Sequence, residues 1–173
     1  MAIKWYVFYY IPIDQTMLFH IKSKVDLDRN PGEICSIHWH NGKVTDSSIP
    51  TLAIVYKSGD IFLLKNESDS SYVAFECGMK ATSAKWSPDG QMLAVTGQQS
   101  VRDVEKDRDR DVNILQFYTN TGLYIRSIKL PGKMVSACSW EATGLRLALA
   151  VDSFIYFANI RPEYKVIPFS FEK

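Results

Sequence analysis

Short runs of alternating apolar and polar residues, separated by turn residues, extend along most of this chain. Three such runs end in tryptophan and resemble one another: Ile34–Trp39, Ala81–Trp86 and Val135–Trp140. A second apolar run follows each of them: Leu52–Val55, Met92–Val95 and Leu145–Val151. Alternation with a period of two indicates β-strands. The pattern therefore predicts β structure throughout, and no segment shows a convincing helical period.

Turn residues lie between the predicted strands. The clearest turns are Lys57–Asp60, Ser87–Gly90, Glu141–Gly144, Asn120–Gly122 and Asp152–Ser153. Glycine and aspartate suit tight turns because they tolerate or stabilise backbone conformations that other residues avoid. Gly59, Asp60, Gly90 and Gly144 are therefore predicted to be structural positions of the repeats.

One segment departs from the alternating pattern. Residues 100–111 contain four basic and five acidic residues and no apolar stripe. Such a composition predicts a solvated, mobile loop rather than a strand. Its basic residues are the most exposed candidates for binding a partner protein, and they are Arg102, Lys106, Arg108 and Arg110.

The tryptophans recur at intervals of 47 and 54 residues. The middle repeat shows four predicted strands: Ala81–Trp86, Gln91–Thr96, Val112–Tyr118 and Leu123–Lys129. Four-stranded units at roughly this spacing are typical of β-propeller blades. Trp39, Trp86 and Trp140 are then predicted to pack between blades rather than to stack on a ligand.

The predicted fold is an all-β, partial WD40-type propeller of about three to four blades, formed by residues 1–165. The repeats fall at about residues 1–30, 31–76, 77–130 and 131–160, and residues 166–173 form a divergent tail. The first of them is half a blade, with strands at Trp5–Ile11 and Met17–Lys22. This count is too small for a closed ring, so we expect a fragment, a splice form or an incomplete gene model.

Composition narrows the choice of partners and compartments. The net charge of +1 argues against nucleic acid and against an anionic membrane surface. Three cysteines without a Cys-x-x-Cys pair predict a reduced, intracellular protein with buried thiols. The amino-terminal residues do not have the pattern of a signal peptide, and no apolar run is long enough to span a bilayer.

Candidate catalytic and metal-binding residues are few. His38 and His40 lie on the face of their strand opposite Trp39, but zinc requires three or four ligands and no third is suggested nearby. Cys35 and Cys138 are predicted to share a face with the following tryptophan and to be buried. Ser153 follows Asp152, yet a hairpin turn explains both. No catalytic sequence motif is present. The sequence therefore predicts no catalytic, metal or cofactor site.

Several segments together resemble the WD repeat-containing protein 35 family, the WD40-repeat subunits of intraflagellar transport complex A. They are Asp111–Thr119, Leu130–Lys133, Ser139–Glu141 and the long run Leu147–Pro162. Weaker similarity extends the resemblance to about residues 31–165. Tubby-like proteins with amino-terminal WD40 repeats resemble the same stretch less closely. The family pattern continues neither into residues 166–173 nor into Met1–Tyr10.

The resemblance implies a non-catalytic scaffold in retrograde ciliary transport and cilium assembly. Its implied partners are other subunits of intraflagellar transport complex A and membrane-protein cargo, and its implied location is the cytoplasm and the ciliary base. Three alternatives stay open: another WD40 adaptor, such as a vesicle-coat or ubiquitin-ligase receptor; a non-functional fragment; and a small hydrolase acting through Ser153.

Overall fold

A computed structural model describes residues 7–9, 19–21, 32–40, 49–66, 68–103 and 108–160. For residues 7–9, 19–21, 103 and 108 it describes the backbone alone. Every regular element in these ranges is a β-strand. Two short strands, β1 (Val7–Tyr9) and β2 (Phe19–Ile21), form an antiparallel pair. They fall inside the two strands predicted for the initial half blade.

Three larger sheets follow, each built from strands in chain order. The first blade consists of β3 (Ile34–Trp39), β4 (Leu52–Tyr56), β5 (Asp60–Leu64) and β6 (Val73–Glu76). The second blade consists of β7 (Lys80–Trp86), β8 (Met92–Asp103), β9 (Arg108–Thr119) and β10 (Tyr124–Leu130). The third blade consists of β11 (Val135–Trp140), β12 (Arg146–Val151) and β13 (Phe154–Asn159). All neighbouring strands are antiparallel.

The blades pack face to face because each sheet carries apolar residues on both faces. One buried cluster joins the first two blades, with Val55, Leu63, Leu93 and Val95 fully buried. A second cluster joins the second and third blades around Leu115, Leu147 and Leu149. Strands buried on both faces read as continuous apolar runs, which explains Leu52–Val55 and Leu147–Val151.

Backbone irregularities recur at one place in the repeat. The pairing of the first and second strands shifts between Ile34 and Ser36, between Ala81 and Ser83, and between Val135 and Ala137. In each blade the shift lies between the residues that are five and three positions before the tryptophan. A bulge inserts an extra residue and re-aims the side chains that precede it.

The bulge corrects one sequence prediction. Cys35 lies at the shift and packs against the cluster between the first and second blades. Trp39 is paired with Leu52, whose side chain belongs to the cluster on the other face. The prediction that Cys35 shares the face of Trp39 is therefore wrong. Cys138 follows its own bulge, and it packs in the same cluster as Trp140, as predicted.

The charged segment 100–111 is also different from the prediction. Strands β8 and β9 continue through it as one hairpin, paired without a shift from Met92 opposite Thr119 to Asp103 opposite Arg108. The predicted loop is therefore wrong for residues 100–103 and 108–111. The register explains the difference. Charged residues on one strand are paired with residues of opposite charge on the next, and such pairs stabilise a solvent-exposed sheet.

The strands form four separate sheets among the described residues. Two of these sheets have four strands, one has three and one has two, and none of them pairs with another sheet. The prediction of a partial β-propeller made of four-stranded antiparallel sheets, without a closed ring, is confirmed.

A projecting charged ribbon as candidate interaction site

The hairpin of β8 and β9 is longer than its blade. Strand β7 pairs with β8 only as far as Gln98, and β10 pairs with β9 only as far as Asn113. Residues 99–103 and 108–112 beyond them form a two-stranded extension, which we call the ribbon. Its exposed residues include Val101, Arg102 and Arg110. The ribbon is therefore a charged element that extends beyond the other two strands of its blade.

Cross-strand pairs organise the charges of the ribbon. Arg102 is opposite Asp109, and Ser100 donates a hydrogen bond to the carboxylate of Asp111, the residue opposite it. Val101 is opposite Arg110. Directly opposed residues share a face and neighbouring residues alternate, so Arg102 and Arg110 lie on opposite faces. One face presents acidic groups beside Arg102, and the other combines Arg110 with Val101.

The base of the ribbon is fixed by buried polar contacts. Asn113 is 1% exposed, and its amide nitrogen donates to the carbonyl oxygen of Gly132 at 2.9 Å. Gln98 donates to the Asn113 side-chain oxygen at 3.2 Å and to the Lys133 carbonyl at 2.8 Å. Buried polar groups with good partners hold an element in one orientation. The ribbon is thus attached to the turn that leads into the third blade.

The four basic residues predicted to bind a partner differ in where the structure places them. Arg102 and Arg110 are exposed on the ribbon, on opposite faces. Arg108 occupies the ribbon position opposite Asp103. Lys106 lies outside the described residues. Arg102 and Arg110 therefore do not form one basic patch, and a partner that binds one face of the ribbon would contact only one of them.

The repeated tryptophans have unequal surroundings. Trp140 donates its indole N–H to the carbonyl oxygen of Lys85 at 3.0 Å, which joins the third blade to the second. Trp86 is 3% exposed, and its ring edge meets His40 of the first blade at a centroid distance of 6.4 Å. Trp39 departs from the prediction, because 51% of its surface is exposed.

The two histidines lie at the junction of the first and second blades. His38 accepts a hydrogen bond at Nδ1 from the backbone N–H of Trp86, at 3.1 Å. Burial lowers the pKa of His38 below its ordinary value, and the positive charge of Lys85 lowers it further. This arrangement requires the neutral ring with its proton on Nε2. The sequence placed both histidines on one strand face but gave no sign of this contact.

Gly59, Gly90 and Gly144 lie in turns, and Asp60 begins β5 directly after the first of them. Gly59 donates to the Tyr56 carbonyl at 3.0 Å, and Ser58 bonds to the Asp60 carboxylate. Gly90 and Gly144 donate in the same way to the carbonyls of Ser87 and Glu141, each at 2.9 Å. These residues shape the hairpins.

The remaining candidate residues form no reactive arrangement. Burial raises the pKa of the Cys35, Cys77 and Cys138 thiols, which disfavours the nucleophilic thiolate. Ser153 is an exposed turn residue, and no described histidine contacts it. Within the described ranges, no group of three or more histidine, cysteine or acidic residues is placed to hold a metal ion. The described part of the chain also has no helix with the length and hydropathy of a membrane span.

Comparison with known proteins identifies the repeat family. A family model described as the WDR35/TULP4 N-terminal β-propeller matches residues 11–161, nearly the whole chain. The chain belongs to this family. Membership of this family supports a WD40 scaffold.

Relatives within the WDR35/TULP4 N-terminal family differ in how similar their sequences are to this chain. WD repeat-containing protein 35 is 44% identical over 134 residues in both Rattus norvegicus and Homo sapiens, covering 76% of this chain. Tubby-related protein 4 of Mus musculus is 27% identical over 122 residues. The expected resemblance to the WD repeat-containing protein 35 family is thus confirmed, with the tubby-related protein less similar. The chain spans 11% of the length of the first relatives and 8% of the second.

Solved structures include similar chains at low identity. One is a chain of a mitotic checkpoint complex, with 19% identity and a TM-score of 0.35, covering 87% of this chain and 58% of that one. Another is the β-propeller domain of Cps50 (Swd1) from Myceliophteria thermophila, with 12% identity and a TM-score of 0.38, covering 79% and 54%.

Proposed function

We propose that this chain acts as a non-catalytic scaffold within intraflagellar transport complex A and takes part in retrograde ciliary transport and cilium assembly. The observation that carries the proposal is the 44% identity to WD repeat-containing protein 35, together with the family match over residues 11–161. Because a propeller fold serves many functions, the ciliary role depends on this relationship and not on the fold. Its partners would be other subunits of the complex and membrane-protein cargo, in the cytoplasm and at the ciliary base.

The ribbon is the surface through which we expect the scaffold to bind. It projects from a blade that is packed on both faces, and Asn113 fixes its base. A rigid, preformed element loses little conformational entropy on binding. Arg110 beside Val101 offers a charged and an apolar contact on one face, which suits an acidic segment with an apolar neighbour.

Co-purification from ciliated cells tests this function. A tagged full chain is expected to recover subunits of intraflagellar transport complex A, and Arg110→Glu is expected to reduce that recovery several-fold. Arg126→Glu is the matched control, because Arg126 is exposed on β10 outside the ribbon and carries the same change in charge. Equal loss in both variants would show that net charge, and not the ribbon, governs binding.

The same experiment separates the alternatives. Recovery of vesicle-coat or ubiquitin-ligase subunits in place of the transport complex would favour another WD40 adaptor. Recovery of no specific partner, with a chain that melts cooperatively, would contradict the scaffold role. Turnover of ester or peptide substrates that is lost in Ser153→Ala would instead establish a hydrolase.

A further inference from the structure

A cleft lies where the first strands of the three blades run side by side. Strand β3 contacts β7, and β7 contacts β11. The cleft has a volume of about 410 Å³, which is in the range of ligand pockets. The residues that line it fall between positions 38 and 142, so three consecutive blades form it rather than an end of the chain. Its walls include His38, Lys85, Trp86, Pro88, Trp140 and Ala142.

His38 and Lys85 occupy the same position in two successive repeats, directly before the tryptophan. Neighbouring residues of a strand point to opposite faces, and Trp86 packs in the cluster shared with the first blade. Lys85 therefore faces the third blade, whose Trp140 donates its indole N–H to the Lys85 carbonyl at 3.0 Å. His38 faces the second blade in the same way and accepts the Trp86 N–H. The repeat thus brings a lysine and a histidine to one cleft.

The ammonium group of Lys85 has no counter-ion within the described part of the chain. No described carboxylate forms an ion pair with it, and none of the residues that line the cleft is acidic. Two nearby carboxylates are engaged elsewhere: Asp89 accepts from the Ser87 hydroxyl, and Glu141 accepts two bonds from Arg146 at 2.7 and 2.8 Å. Because Lys85 is half-buried, solvent and salt screen its charge less than that of a surface lysine.

His38 adds a neutral donor to the cleft. Its Nδ1 accepts the Trp86 N–H at 3.1 Å, so its proton is on Nε2, and no hydrogen bond joins Nε2 to another described residue. Burial lowers the pKa of His38, and the positive charge of Lys85 lowers it further, which indicates that the two side chains are near each other. The lining residues therefore offer one positive charge and one histidine N–H donor.

We propose that this cleft binds the carboxylate of an aspartate or glutamate side chain in a peptide segment of a partner protein. The single positive charge of Lys85 matches the single negative charge of a carboxylate, whereas a phosphate group carries a charge of about −1.5 to −2. The apolar walls at Pro88, Trp140 and Ala142 suit apolar residues beside the acidic one. The cleft is separate from the ribbon, and the proposal depends on neither the ribbon nor the transport role.

Fluorescence anisotropy with the full chain tests the charge preference. The probe is a dye-labelled peptide with blocked ends and a glutamate between two leucines, and a second peptide has glutamine in place of the glutamate. We expect the Kd of the glutamine peptide to be about 10-fold higher or more, because a hydrogen-bonded ion pair is lost. Lys85→Gln should remove this difference, and Lys85→Arg should keep most of it. Lys129→Gln is the matched control, since Lys129 is exposed on β10 and carries the same change in charge.

Nuclear magnetic resonance locates the bound peptide. The indole N–H of Trp140 is bonded to the Lys85 carbonyl, so its ¹H–¹⁵N signal should shift when the glutamate peptide is added. The indole signal of Trp39 should not shift, because Trp39 is not among the residues that line the cleft. The same spectra show whether Lys85→Gln is folded.

Four results would overturn the proposal. The glutamate peptide fails to bind at millimolar concentration, or it binds no more tightly than the glutamine peptide. The preference for glutamate persists unchanged in folded Lys85→Gln. A peptide with phosphoserine in place of the glutamate binds more than about 10-fold more tightly, which would assign the cleft to a doubly charged group.

Discussion

At the scale of single residues, steric space distinguishes glycines that look alike in the sequence. Gly59 and Gly144 both have positive φ, 102° and 72°. A Cβ atom at Gly59 would lie 2.5 Å from the backbone oxygen of Met79, whereas one at Gly144 would meet only Pro88 Cδ, at 3.6 Å. An alanine would therefore strain the backbone at both positions, but its Cβ atom would collide with a neighbouring atom only at Gly59.

Alanine substitutions measure this difference. Gly144→Ala is expected to lower the free energy of unfolding by about 1 kcal/mol, the cost of a left-handed backbone. Gly59→Ala should lower it by about 3 kcal/mol or more, because the carbonyl of Met79 must also move. Urea denaturation of the two variants and the natural chain gives both values. Equal losses would show that the Met79 backbone moves aside without cost.

His38 makes stability depend on pH. Its pKa is lower in the folded chain than its ordinary value of about 6.5, so the unfolded chain binds the proton first as the pH falls. Stability is therefore complete above about pH 6.5 and is lost below it, down to the folded pKa. His38→Asn keeps an acceptor for the Trp86 N–H and does not titrate. Its free energy of unfolding should fall less between pH 7 and pH 5 than that of the natural chain, and an identical fall would assign the effect to other groups.

At the scale of elements, the sequence predicts the strands well and their pairing less well. The four strands of the second blade agree with the periodicity because packing on two faces fixes the apolar positions. The ribbon was predicted as a loop because its strands are held by opposed charges, and which charges are opposed depends on a register that the sequence does not display. The bulge at Cys35 was not foreseen for the same reason.

The attachment of the ribbon can be tested at Asn113. Removing its side chain in Asn113→Ala takes the side-chain donor from the Gly132 carbonyl and leaves the Gln98 amide bonded to the Lys133 carbonyl alone, which should cost about 1–3 kcal/mol of stability. Gln99→Ala is the control, because Gln99 is an exposed ribbon residue next to Gln98. Thermal denaturation followed by circular dichroism compares them. A loss in Gln99→Ala as large as that in Asn113→Ala would contradict the special role of Asn113.

At the scale of the whole molecule, two buried clusters and a few directed hydrogen bonds join the blades. The indole of Trp140 bonds to Lys85 of the preceding blade, while Trp39 at the same repeat position is half exposed. The repeat pattern predicts equal roles for the three tryptophans because it does not show how much of each ring the surrounding residues cover.

Phenylalanine substitutions separate these tryptophans. Trp140→Phe keeps an aromatic ring but removes the bond to the Lys85 carbonyl, so we expect a loss of about 1–2 kcal/mol in the free energy of unfolding. Trp39→Phe should change it by less than about 0.5 kcal/mol, because Trp39 is 51% exposed. Guanidinium denaturation measures both. A larger loss in Trp39→Phe would mean that Trp39 has a buried contact in solution.

The ribbon also has a mechanical consequence. Five residues beyond the edge of the blade, at about 3.3 Å per residue, give it a reach of about 16 Å. Its base is bonded through Asn113 to the turn between β10 and β11, where the second blade meets the third. A force on the far end of the ribbon would therefore act with this leverage on the junction between the second and third blades.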